Sequence, residues 1–134
     1  MKGLLFIGRN LLTASSVKQI LNIYMQIKVL HLVLRYKWYD MIAAGIKKEE
    51  YRRMTPYWIK RLVQNATIEG DANVITFKPY THVCFHRAYT STTMLFELDG
   101  LGVGYGKPEW GAKDERTFIL RLGKQEHCIW KYIK

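Results

Sequence analysis

The chain has 134 residues, 49% hydrophobic and 24% charged, the size and make-up of one globular domain able to bury its own core. Its 21 Lys and Arg against 11 acids leave a net charge of +10, a balance that favours polyanions: RNA, DNA, nucleotides or an anionic membrane surface. Two cysteines, Cys84 and Cys128, exclude a disulfide scaffold but leave a single bridge open. No apolar run approaches the roughly 20 residues of a membrane span, and nothing requires an oxidising compartment, so a cytoplasmic chain with no membrane partner is expected.

Lys2 followed by Leu4 to Ile7 resembles the start of a signal peptide, but Arg9 breaks the apolar run after four residues, where about seven or more are needed. From Ser15, SSVKQILNIY predicts a short helix capped by Ser15 or Ser16, with Val17, Ile20, Leu21 and Tyr24 on one face. MQIKVLHLVL is a natural opening strand. Residues 1–24 therefore read as a dispensable extension ahead of a domain over 25–134.

Ile27 to Leu34 suits a largely buried, central strand. Tyr36 to Ala44 changes to helical period, with Trp38, Met41 and Ile42 on one stripe. Gly45 follows as the residue that ends the helix in the left-handed conformation. Beyond it lies a dense charge cluster. If Lys47 to Arg53 is extended, Glu50 and Arg52 share one face while Glu49 and Tyr51 share the other. Thr55 is a good N-cap and Pro56 suits the first helical position of a second helix. Its apolar stripe is Trp58, Ile59 and Leu62, with Lys60 and Arg61 facing solvent.

Val63 to Tyr80 is rich in turn formers, with a short strand over Val74 to Phe77. His82 to Arg87 alternates, placing Val83 and Phe85 opposite His82, Cys84 and His86. Thr90 to Thr93 is a turn. Met94 to Leu98 and Thr117 to Leu122 are strands, and Trp130 and Tyr132 sit at strand spacing in the tail. Gly100, Gly102, Gly104 and Gly106 alternate. In a strand they share a face that a ring, a backbone or a ligand can approach, or they let a barrel strand bend. Lys107 to Gly111 is a loop.

The glycine run is neither a P-loop, since Lys107 is followed by Pro108, nor a dinucleotide fingerprint. No G-x-S-x-G anchors a serine hydrolase. His82, Cys84, His86, His127 and Cys128 offer metal-binding atoms, but no C-x-x-C pair accompanies them. Neither a metal centre nor any other cofactor is expected.

The segment Gly45 to Arg52, GIKKEEYR, fits Gly-x-Lys-x-x-Glu-x-Arg. It resembles the signature of the ASCH family, and the order of elements in VLHLVLRYKWYDMIAAGIKKEEYR, TPYWIKRL, YGKPEWG and FILRL is similar to a bacterial and phage subgroup, over roughly Gln26 to Gly123. The resemblance implies an α+β fold, a small PUA-like mixed β-barrel with flanking short helices. It also implies a cleft lined by Lys47, Glu50 and Arg52, its turn shaped by Gly45, acting on RNA or nucleotides. Some members are amidohydrolases of acetylated cytidine, which use the motif Lys, a further Glu, and a Thr where this chain has Glu50. Others are described as ribonucleases.

The expected function is thus RNA or nucleotide binding in a basic cleft. Lys47 and Arg52 would hold phosphate and sugar, and Tyr105 and Trp110, with Lys107 between them, would offer rings and charge beside the glycine face. Trp38 and Trp58 are expected in the core. The alternatives are an enzyme in the same cleft, with Glu50 as general base and Lys47 stabilising developing charge, or a protein-interaction module.

Overall fold

The computed structural model describes residues 5–7, 10–70 and 72–127. The signal-like features at Lys2, Leu4 and Arg9, and the tail residues Cys128, Trp130 and Tyr132, lie outside them. In order along the chain come β1 (Leu5–Ile7), β2 (Asn10–Leu12), α1 (Ala14–Gln26), β3 (Val29–Leu34), α2 (Tyr36–Ala43), β4 (Glu49–Arg53), α3 (Pro56–Leu62), β5 (Val63–Glu69), β6 (Ala72–Phe77), β7 (His82–Arg87), β8 (Thr93–Gly104) and β9 (Thr117–Glu126). A single 3₁₀ turn, Pro108–Trp110, separates the last two strands. Among the described residues no helix is long and apolar enough to cross a membrane.

The fold is α+β. Five strands form one strongly curled, half-barrel sheet in the order β3-β7-β8-β9-β4, flanked by three short helices. Strand β3 runs parallel to β7, and the other pairings are antiparallel. Two separate two-stranded ladders, β1–β2 and β5–β6, complete the topology. Strand β8 supplies much of the bend. Its register with β9 shifts twice, between Phe96 and Leu98 and between Leu98 and Gly100, and each such irregularity bends and twists the strand that carries it.

Alternation fills the concave side. Leu30, Leu32 and Leu34 of β3, Val83 and Phe85 of β7, Met94 and Phe96 of β8, and Phe118 and Leu120 of β9 form one buried cluster with Tyr39 and Ile42 of α2 and Leu62 of α3. Each fully buried side chain of this kind contributes about 1.5–3 kcal/mol. Strand β3 is an edge strand, not the central one its apolar content suggested. Val33 is apolar yet 46% exposed, so the run of Val and Leu conceals a one-sided alternation.

Two further local details differ from expectation. Helix α1 starts two or three residues earlier than its serines suggest, with Thr13 Oγ1 accepting from the Ser16 N–H at 3.1 Å. It runs through Met25 to Gln26, so a boundary drawn at residue 24 falls within a helix. Helix α2 buries Tyr39 and Ile42, which rotates the expected stripe so that Trp38 leaves the core. Thr55 caps α3 as its sequence implies, accepting from the Trp58 N–H at 3.3 Å.

Candidate functional site

The site begins with the end of α2. Gly45 takes a left-handed φ of 77°. Its N–H donates to the Ile42 carbonyl at 3.0 Å, and the next N–H, of Ile46, reaches back to Met41 at 3.0 Å. This pair of bonds is the Schellman ending. It turns the chain abruptly into Lys47 and the edge strand β4, so the charged residues leave the helix from a fixed point.

In β4 the side chains alternate as strand geometry requires. Glu50 and Arg52 pair in register with Leu120 and Phe118 of β9, both core residues, while Glu49 and Tyr51 pair with Arg121 and Ile119. Two charged side chains are therefore directed to the concave side. They are accommodated there only because they satisfy one another. Lys47 is 2% exposed and Glu50 4% exposed. Glu50 Oε1 lies 3.5 Å from Lys47 Nζ and 3.5 Å from Arg52 Nη1, and accepts the Tyr51 N–H at 2.8 Å. Lys47 Nζ also donates to the Trp110 carbonyl and lies over the Trp38 and Tyr51 rings, 4.7 and 5.0 Å from their centroids. Burial pushes the Lys47 ammonium below the usual lysine range, against the pull of Glu50. Burial lowers Arg52 as well, again opposed by Glu50.

Arg52 has a second task. Its Nη2 donates to the Val33 carbonyl at 3.2 Å, and its guanidinium lies over the Trp58 ring at 5.2 Å. Val33 is in β3 and Arg52 in β4, the two outer strands of the curled sheet. A side chain thus spans the gap that a backbone ladder would close in a complete barrel. The cleft occupies this gap. It has a volume of about 400 Å³ and is lined by Val33, Leu34 and Arg35 at the end of β3, by Lys47, Glu50, Tyr51 and Arg52, and by Trp38, Trp58, Trp110 and Gly111.

The loop after β8 forms the remaining wall. Tyr51 donates its hydroxyl to Glu49 Oε1 at 2.9 Å and accepts the Lys107 N–H at 3.0 Å. Its phenol is pushed up to about 12, by burial first, with the Lys107 N–H opposing and the Glu49 carboxylate adding. Gly111 has φ 98°, and a Cβ there would stand 2.8 Å from Trp38 Cζ2. That glycine lets the loop lie against the Trp38 ring.

Gly45, Lys47, Glu50, Arg52 and Trp110 are all brought to this cleft or shape it. Lys107 sits beside it, its Nζ 4.3 Å above the Trp110 ring. Tyr105 is 64% exposed and is not among the lining residues. The glycine face lies elsewhere: Gly100 and Gly102 pair with Arg121 and Ile119, which share the Tyr51 side of the sheet. At Gly106 a ring does come close, since an added Cβ would meet Tyr51 Cζ at 2.6 Å.

Trp38 and Trp58 are half-buried walls of the cleft rather than core residues, although Trp58 also packs on the core edge. Arg35 is a lining residue that the sequence reading missed. Its signal was available: it follows the outward His31 and Val33 of β3 at the same spacing, at the N-cap of α2.

Glu50 Oε1 is fully engaged, whereas Glu50 Oε2 is buried without a hydrogen-bond partner among the described residues, an acceptor that costs free energy until a donor meets it. No serine, threonine or cysteine lines the cleft among the described residues. Compared with protein-family models, with curated proteins and with solved structures, the chain matches none.

Proposed function

We propose that this chain is a divergent ASCH domain with a PUA-like barrel, and that its cleft binds RNA or a nucleotide. The observation that carries this reading is Glu50 Oε2, a buried acceptor without a partner in a cleft walled by three tryptophans. A nucleobase supplies what such a place lacks. Its amino or imino N–H donates to Oε2, and its face stacks on an indole, a contact worth about 1–3 kcal/mol per base. The volume of about 400 Å³ is within the range of small-ligand sites, roughly 300–1,000 Å³. Lys47 and Arg52 face Glu50 and hold that acceptor in place. The phosphate falls to Arg35, exposed at the rim, with the +10 charge of the chain drawing polyanions toward it.

The test is a titration of the full chain with short single-stranded RNA and with nucleoside monophosphates at two salt concentrations. We expect salt-sensitive binding, with a log-log slope of about −0.7 per phosphate contact. Trp58→Ala should weaken it about tenfold or more, while Arg35→Ala should reduce the salt slope by one contact. Salt-insensitive binding, or none, would overturn the reading. RNA recovered shortened or altered would move the assignment to an enzyme in the same cleft, with Glu50 as its base.

A further inference from the structure

A second polar group sits one step along β3 from the cleft, on the face that points away from the core. The parallel register pairs His31 with Cys84 and Val33 with His86. Paired residues, and residues two apart, share a face of a sheet. Leu30, Leu32, Val83 and Phe85 enter the core from one side, so His31, Cys84 and His86 emerge together on the other. His82, which the sequence grouped with Cys84 and His86, instead places its Nδ1 2.8 Å from Thr81 Oγ1. His31, from a strand more than fifty residues away, takes its place.

The donor atoms are closely gathered. His31 Nδ1 and His86 Nε2 are 3.0 Å apart, Cys84 Sγ and His86 Nε2 are 3.6 Å apart, and all three lie within 4.8 Å of one another. Tetrahedral zinc with Zn–N of about 2.0–2.1 Å and Zn–S of about 2.3 Å requires roughly 3.4 Å between two nitrogens and roughly 3.6 Å between nitrogen and sulfur. Two separations already meet that demand to within a few tenths of an ångström. One thiolate with two imidazoles is a donor set that suits zinc, and it disfavours magnesium and calcium, which take oxygen. Cys84 is buried, His86 half-buried and His31 exposed. The group therefore has a closed floor and an open side, through which an ion enters and a fourth ligand reaches it.

We infer that His31, Cys84 and His86 form a zinc site that fastens the edge strand β3 to β7, with the fourth position open to solvent. Binding replaces the Cys84 S–H proton: Zn²⁺ and the thiol give a zinc thiolate and a proton released to water, while both imidazoles bind as neutral donors. The site adjoins the cleft. Arg61 donates to the His31 carbonyl at 3.3 Å and lies 4.9 Å from the Trp58 ring centroid, so a metal that fixes His31 also fixes one wall of the cleft.

The experiment strips the full chain of metal with a chelator and titrates it with Co(II), then displaces Co(II) with Zn(II). We expect one equivalent to bind, with visible d–d bands of tetrahedral Co(II) and a near-ultraviolet thiolate-to-cobalt band, both erased by zinc. His31→Ala should weaken binding by at least about tenfold, since even outer partners of metal ligands are worth 10–100-fold. Cys84→Ser should remove the thiolate band. His82→Ala should change neither. No thiolate band at one equivalent, binding unchanged in His31→Ala, or a band that survives Cys84→Ser and so belongs to Cys128, would overturn the site. Cys84 is buried and its variant risks misfolding. His31 is exposed, so His31→Ala decides the matter in a folded protein.

Discussion

Two polar groups share strand β3 and are built in opposite ways. The cleft takes its charges from one contiguous stretch, Gly45 to Arg52, and makes them tolerable by pairing Lys47, Glu50 and Arg52 with each other in a buried place. The His31–Cys84–His86 group draws on two strands and carries groups that can remain neutral. Burial and the proximity of His86 and Arg61 hold His31 below the usual histidine range, which keeps it uncharged near neutral pH. The contrast teaches where each arrangement is vulnerable. A buried set of mutually paired charges fails when one member is lost. A set of neutral donors fails when acid charges it.

The sharpest way to break this comparison is to delete one member of the buried set. Glu50→Ala leaves Lys47 and Arg52 without their carboxylate, and truncating one partner of a buried ion pair costs about 3–5 kcal/mol. Denaturant unfolding should show that loss, whereas His31→Ala in metal-free protein should stay within about 0.5 kcal/mol, as for other exposed positions. Equal effects would mean that the cleft charges are not a brace.

A smaller effect is expected at Tyr51, which fixes the loop wall to β4. Tyr51→Phe loses the bond to Glu49 and leaves the Lys107 N–H without its acceptor, a cost of about 1–2 kcal/mol. The same residue gives a signature at high pH. Its folded pKa, about 12, lies above the ordinary value of 10, so its contribution to stability is complete below pH 10 and is lost as pH rises through about 12. Tyr51→Phe should flatten that part of the alkaline unfolding curve, and an unchanged curve would count against the buried phenol.

The smallest effect sharpens the other half. His31 is lowered in the folded protein, so its contribution is complete above pH 6.5 and declines as pH falls below that value. In metal-free protein the melting temperature should drop between pH 7.5 and 5.5, and His31→Ala should reduce the drop. Arg61 and His86 face the ring and add to its reluctance to charge. A drop of equal size in the variant would place the acid sensitivity elsewhere.

The cleft was legible in the sequence wherever its logic is local. Gly45 as a helix terminator, Thr55 and Pro56 as a helix start, and the shared face of Glu50 and Arg52 all follow from neighbours within a few residues. Where the logic is long-range, the reading failed. A helical stripe does not say which neighbour lies inside, so α2 was oriented with Trp38 inward when Tyr39 takes that place. Strand β3 passed for a central strand because Val33 is apolar though exposed. Strand β5 was missed among turn-forming residues that its ladder with β6 accommodates. The histidine and cysteine group needed the parallel pairing of β3 with β7, which nothing nearby in the chain announces.

The register of β4 also dictates an order of assembly. Among the described residues, the strand that carries Glu50 and Arg52 is laddered only to β9, Thr117–Glu126, and the carbonyl that receives Lys47 belongs to Trp110. Chains emerge from the ribosome N-terminus first, so the charged segment is made long before either partner. Until Trp110 follows, Lys47 has no lid, and until β9 follows, Glu50 and Arg52 have no ladder, so water must solvate the segment as it is made. Distant pairings of this kind close late. The cleft therefore has no half-built form to offer a ligand: an incomplete chain ending before Thr117 carries every residue that lines the pocket and lacks the strand that sets β4 in place.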